Sequence, residues 1–178
     1  MMNQQTLDKL HALRWFGLAE AWRKQMENPE IASLSFDERF SLLVDQHWTW
    51  QENQAMVRRL KRSKLPSEPC VEDMEDIDFR YSRGLDRSLM RTLTSSQWVA
   101  HHHSILFTGP AGVGKSWLGQ ALAQKACRDG YTAWYRPVAK LFRDLMVARA
   151  DGSLGRVLDI IAHIDVLVVD DFAMAAMN

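Results

Sequence analysis

Residues 109–116 read GPAGVGKS and satisfy G-x-x-x-x-G-K-[ST] at every fixed position. The chemistry open to such a run is phosphate binding. In Gly109, Pro110, Ala111, Gly112, Val113 and Gly114 the glycines let the backbone curl, so that successive N–H groups point inward at phosphate oxygens. Lys115 brings a positive charge to the β- and γ-phosphates, and Ser116 offers a hydroxyl to Mg²⁺. The helix that follows turns its positive end toward the anion. A random chain of this length would show the pattern well under roughly 1% of the time. The alternative, a plain glycine turn, does not explain why an apolar run precedes it and a helical pattern follows. The ligands expected are ATP and Mg²⁺.

Such a loop needs a second strand ending in an acid that holds Mg²⁺ through water. The run VLVVDD, residues 166–171, supplies it some 50 residues downstream. Asp170 is expected at the strand end as the metal-side acid, sharing that role with Ser116. Asp171 is the candidate to orient or deprotonate an attacking water, a role typically worth ~10²–10⁴-fold. It is one methylene shorter than the glutamate that would reach further. Lys115, Asp170 and Asp171 are thus the candidate catalytic set.

Elements must hold these residues together. Ser104–Gly109 reads as a short buried strand and residues 115–130 as a helix closed by Gly130. YTAWYR at 131–136 is a strand candidate. Helical patterns cover 138–152 and 155–164, and VLVV is a strand. Strands alternating with helices argue for an α/β domain on a parallel sheet.

The first third is helical. Apolar residues recur at Leu7, Leu10, Leu13, Phe16 or Gly17, and Ala21, and 28–30 (NPE) breaks the pattern. Ser35 stands three residues before Glu38, a capping box. Behind it Phe36, Leu43, Trp50 and Val57 fall at sevens on one long helix ending near Leu65–Pro66. That helix closes on Arg58, Arg59, Lys61, Arg62 and Lys64. The next 13 residues (PSEPCVEDMEDID) hold two prolines, six acids and no bases, a linker composition. The expected division is 1–66 helical module, 67–82 acidic linker, 83–178 phosphate-loop domain.

The basic cluster reads as a grip on DNA phosphates; a solvated helix end suited to the dipole is the other reading. Arg80, Arg83, Arg87 and Arg91 form a stripe at helical spacing, with Gly84 delaying the helix start. They could pair with the acidic linker, or touch DNA or a neighbouring subunit. Trp15, Trp22, Trp48 and Trp50 are expected in the core rather than stacked on bases. His101–His103 read as a polar approach to the first strand rather than a metal site.

The 178 residues carry zero net charge and two cysteines, Cys70 and Cys127, without a CxxC partner. Neither a disulfide framework nor a zinc site is indicated. No signal-peptide pattern and no run near the ~18 apolar residues of a membrane span occurs. The expectation is a cytoplasmic protein without a membrane partner.

Taken together, 106–127 (LFTGPAGVGKSWLGQALAQKAC), 148–161 (ARADGSLGRVLDII) and 165–172 (DVLVVDDF) resemble the IstB-like transposition helper ATPases of the IS21 group of insertion sequences. These are AAA+ proteins related to DnaC-type helicase loaders. Residues 34–48 (LSFDERFSLLVDQHW), 59–66 and 84–93 fit as well, so the resemblance covers essentially the whole chain. It implies ATP binding, assembly into an oligomer on duplex DNA, and recruitment or activation of a transposase, with hydrolysis resetting the assembly. Gly109, Gly112, Gly114, Lys115 and Ser116 would hold phosphate and Mg²⁺, Asp170 would be the Walker B metal acid and Asp171 the water-positioning acid. The helical module would help bind DNA.

In that family a fourth strand with a polar sensor, an arginine finger and a fifth strand follow Walker B, in sheet order 5-1-4-3-2. The resemblance therefore implies a C-terminally truncated chain that lacks a central strand. Unpaired buried backbone groups cost about 1–3 kcal/mol each. The alternatives are a helicase loader, a P-loop kinase, and a remnant that binds nucleotide without hydrolysing it.

Overall fold

A computed structural model describes residues 2–66, 77 and 84–172. The chain divides into two compact units, 1–57 and 58–178.

The first unit is built on helices α1 (Met2–Ala12), α2 (Phe16–Glu27) and most of α3 (Phe36–Ser63), with a 3₁₀ turn at Pro29–Ser33. The helical spacing that runs on from Thr6 to Gln25 is interrupted after Ala12. There Trp15 N–H donates to Leu10 O and Arg14 N–H to His11 O, each at 2.9 Å. That is a Schellman closure, with Arg14 in the left-handed region at φ 60°. Periodicity does not reveal such a stop when arginine stands where glycine is usual. Gly17 is needed for close approach: a β-carbon there would lie 2.7 Å from Trp50 Cβ and 2.8 Å from His47 Nδ1.

The helix α3 starts as the capping box requires. Glu38 N–H donates to Ser35 Oγ at 3.3 Å, and Ser35 N–H donates to Glu38 Oε2 at 2.8 Å. Of the residues at sevens, Leu43 is buried and Trp50 half-buried, while Phe36 and Val57 are exposed. Two tryptophans depart from the expected core placement: Trp15 is 48% and Trp48 69% exposed. Trp15 falls in the break between α1 and α2. Trp48 lies four-residue steps beyond Phe36, Phe40 and Val44, and each such step turns about 40° further round the helix.

The second unit takes the end of α3, then α4 (Arg87–Thr94), α5 (Gln97–Ala100), α6 (Lys115–Arg128), β1 (Ala133–Pro137), α7 (Val138–Ala150), α8 (Leu154–Ala162) and β2 (Val166–Asp170). Cys70, Arg80, Arg83 and, apart from Ile77, the acidic linker 67–82 lie outside the described residues. Gly84 has φ 71°, and α4 begins only at Arg87, where the Asp86 carboxylate accepts from Ser88 N–H at 2.7 Å. His102 closes α5 with φ 55°, and the His101 and His103 rings stack at 5.6 Å. Gly130, at φ 105°, closes α6 as expected.

The sheet is parallel, β1 beside β2, with Ala133 opposite Val166 and Pro137 opposite Asp170. A side-chain clamp at its N-terminal end fixes this register. The Asp165 carboxylate accepts from Thr132 N–H and Thr132 Oγ1, both at 2.7 Å, and Asp165 N–H donates back to Thr132 Oγ1 at 3.1 Å. Helix α6 covers the sheet. Its Ala123, Ala126 and Cys127 join Val99, Ala133 and Val166 in one buried cluster, and its Leu118 and Ala121 join Ile77 and Met90 in another.

One expected element is different. Residues 104–109 form no strand: the segment leads into the loop without a ladder partner among the described residues, and Leu106 is 82% exposed. A β-carbon on Gly119 of α6 would lie 3.7 Å from Val168 of β2 and 3.8 Å from Phe107, so the segment packs against α6 beside the sheet. An apolar run becomes a strand through its inter-strand hydrogen bonds, and no described strand lies alongside to provide them.

Candidate nucleotide-binding site

The loop 109–114 delivers the chain into the first turn of α6. Gly109, Gly112 and Gly114 have φ of 143°, 80° and 94°, backbone that L side chains rarely adopt. Gly114 is the N-cap and supplies no side-chain cap, so the first N–H groups of α6 face out of the helix end as donors. Pro110 and Ala111 are exposed and Val113 is half-buried. The Lys115 ammonium donates to Gly109 O at 3.0 Å and Pro110 O at 2.6 Å, which folds it back over the loop.

The second strand reaches the same place. Ser116 Oγ donates to Asp170 Oδ1 at 2.8 Å across 54 residues of sequence. Asp171 N–H donates to the same oxygen at 3.0 Å. The other oxygen, Oδ2, accepts from the Tyr135 hydroxyl at 2.7 Å. The Gln120 side chain, one turn beyond Ser116 on α6, lies beside Asp170 and Tyr135. Burial pushes the Asp170 carboxyl up. The bonds from Tyr135, Ser116 and Asp171 N–H, with Gln120 close by, outweigh it and leave the pKa below the ordinary aspartate value. Burial, and then the bond to Asp170, push the Tyr135 phenol up to about 12.

Asp171 turns out of the strand with φ 56° and an exposed side chain. Left-handed backbone at a non-glycine residue costs energy and clusters at functional sites.

Sequence reasoning missed Tyr135 and Gln120. Tyr135 pairs with Val168, and Pro137 with Asp170. Tyr135 therefore shares a face with Asp170 and stands two residues short of it, about 6.6 Å along the strand, a gap a phenol spans. The strand candidate is readable from the sequence, but the register that aims the phenol is not.

Among the described residues, no group of three or more His, Cys, Asp or Glu is placed to hold a metal alone. The Ser116 hydroxyl and Asp170 carboxylate are hard oxygen donors. Mg²⁺ characteristically takes one or two carboxylates, several waters and substrate phosphates. The donor set suits a Mg²⁺ that arrives with phosphate.

In the basic cluster Arg58, Lys61, Arg62 and Lys64 are exposed. Arg59 is half-buried, and its Nε donates to Cys127 O at 2.9 Å, at the C-terminal end of α6.

With a phosphate loop, an acid strand and a joining hydrogen bond in place, comparison with known proteins is decisive. Residues 8–178 match the profile of the IstB-like ATP-binding proteins. The chain belongs to the IstB-like ATP-binding protein family. This IstB-like chain is 44% identical over 179 residues to the protein named as the ATP-binding protein of insertion sequence IS1162 from Pseudomonas fluorescens; the match covers all of this chain and 76% of the relative. It is 37% identical over 178 residues to an insertion-sequence ATP-binding protein of Sinorhizobium fredii, covering 71% of that protein. With the protein named for IS21 from Pseudomonas aeruginosa it is 30% identical over 153 residues, 86% of this chain and 57% of the relative. The IstB-like match takes in the loop, Tyr135 and both aspartates.

Proposed function

We propose that the protein is an ATP-driven helper of DNA transposition that assembles on duplex DNA and recruits or activates the transposase of its own element. The observation that carries the ATP-binding part of this reading is the 2.8 Å bond between Ser116 and Asp170, which unites the phosphate loop with the acid strand. Family membership and the printed names of the relatives, ATP-binding proteins of insertion sequences, support the same reading. The proposed fold is AAA+, with strand order 5-1-4-3-2. The parallel pairing of β1 and β2 suits strands 2 and 3, which are neighbours in that order.

In this reading the N–H groups of 109–114 and of the first turn of α6 bind the phosphates. Lys115 exchanges its contacts with Gly109 O and Pro110 O for phosphate oxygens. Ser116 and Asp170 would hold Mg²⁺, which would neutralise charge on the phosphates. Asp171, at the strand tip, orients water toward the terminal phosphate. Arg58, Lys61, Arg62 and Lys64 contact DNA phosphates. No helix among the described residues is long and apolar enough to cross a membrane, and the cytoplasm is the proposed location. Self-association into an oligomer on DNA completes the proposal.

The test measures ATP binding and hydrolysis with and without duplex DNA, and with added small-molecule phosphate acceptors. DNA-dependent change in nucleotide binding or turnover supports the helper. Phosphate transfer to an acceptor, without an effect of DNA, would overturn it in favour of a kinase.

A further inference from the structure

We infer that Tyr135 is a positioning residue for Mg²⁺-dependent nucleotide binding, fixing the Asp170 carboxylate so that Oδ1 stays turned toward Ser116. The inference rests on the proposed role of Asp170 and goes beyond it.

Three observations carry it. The Tyr135 hydroxyl donates to Asp170 Oδ2 at 2.7 Å, while Oδ1 takes the Ser116 hydroxyl at 2.8 Å and Asp171 N–H at 3.0 Å. Both carboxylate oxygens are therefore held, one from each side, and rotation about the Cβ–Cγ bond would break bonds on both. Tyr135 comes from β1, the strand paired with β2, so its support for Asp170 is independent of the loop and of α6. The phenol is half-buried and stands on the sheet face of Ala133, Val166 and Val168 that α6 covers. An acid acting on a metal through water depends on its orientation. Outer partners of this kind typically change metal affinity 10–100-fold when removed. If Asp170 acts on the ion through water, the lower end is expected here.

Tyr135→Phe removes only the hydroxyl and keeps the ring. ATP affinity is measured by calorimetry on the full chain as Mg²⁺ is raised, beside the same titration in EDTA. For Tyr135→Phe we expect the Mg²⁺ concentration at half effect to rise roughly 10-fold, with EDTA affinity unchanged. Asp170→Asn should shift the Mg²⁺ dependence as well, and the double variant should lose no more than Asp170→Asn alone. A shift for Asp170→Asn but none for Tyr135→Phe overturns the inference and leaves the site assignment standing. No shift for either overturns both. Losses in the double variant that simply multiply would also overturn it, since Tyr135 would then act other than through Asp170. Melting of each variant without nucleotide separates a folding defect from an altered metal response.

Discussion

Ser116 and Asp170 lie 54 residues apart in sequence and meet at 2.8 Å, hydroxyl to carboxylate. One stands in the first turn of α6 and the other ends β2, so their contact requires the helix to pack across the parallel sheet as it does. The bond ties the acid at the end of β2 to the helix that the phosphate loop opens. From this pair the proposed roles of the neighbouring residues can be tested one at a time.

Asp171 should separate binding from turnover. Asp171→Asn keeps a residue that tolerates the left-handed backbone at φ 56° while removing the charge. ATP affinity should be retained within about 2-fold, and hydrolysis should fall by roughly 10²–10⁴. Single-turnover measurement with radiolabelled ATP checks this; unchanged hydrolysis would reassign the water-orienting role.

Asp165 should matter for stability and not for chemistry. Its carboxylate takes two 2.7 Å bonds from Thr132 at the end of the sheet away from the loop. Asp165→Ala should cost about 1–2 kcal/mol, read by urea denaturation, with ATP affinity unchanged in the folded protein.

Arg14→Gly should stabilise the first unit. The Schellman closure at Arg14 holds an L side chain at φ 60°, and glycine removes that cost at the expense of a more flexible unfolded chain. The net gain should be about 0.5–1 kcal/mol, visible as a higher urea midpoint. A loss of stability would show that the Arg14 side chain contributes more than its backbone strain costs.

The basic residues at the end of α3 should divide into two kinds. Neutralising Arg58, Lys61, Arg62 and Lys64 together should flatten the log–log salt dependence of duplex DNA binding by about 0.9 for each phosphate that is no longer neutralised. Arg59→Ala should act through stability, because its Nε holds Cys127 O at the end of α6. An unchanged salt slope after the fourfold change would remove this surface from the DNA-binding proposal.

The sequence shows the loop and the acid strand because their chemistry is local: glycines that allow a curl, a lysine and serine at fixed offsets, and acids after an apolar run. Two of the three strand candidates, 131–136 and 166–169, which form Ala133–Pro137 and Val166–Asp170, and the capping box at Ser35 and Glu38 are legible for the same reason. What was not legible depends on partners distant in sequence. Residues 104–109 have the composition of a strand, yet a ladder partner decides whether one forms. Tyr135 gains its contact from a register that Thr132 and Asp165 set. Arg59 resembles its basic neighbours until the fold brings the end of α6 beneath it. The break at Arg14 and the exposure of Trp48 show the same limit: periodicity indicates a helix but not where it stops or which part of its stripe is covered.

The central claim is that this loop binds the phosphates of ATP through Lys115. Calorimetric titration of the full chain with ATP and Mg²⁺, beside Lys115→Ala, tests it most directly. The structure predicts binding by the natural chain and a roughly 10–100-fold loss in the variant, the worth of one charge-assisted contact, with the melting temperature in the absence of nucleotide nearly unchanged. Equal affinity of the two proteins for ATP, or no binding by the natural chain in its folded state, would contradict it.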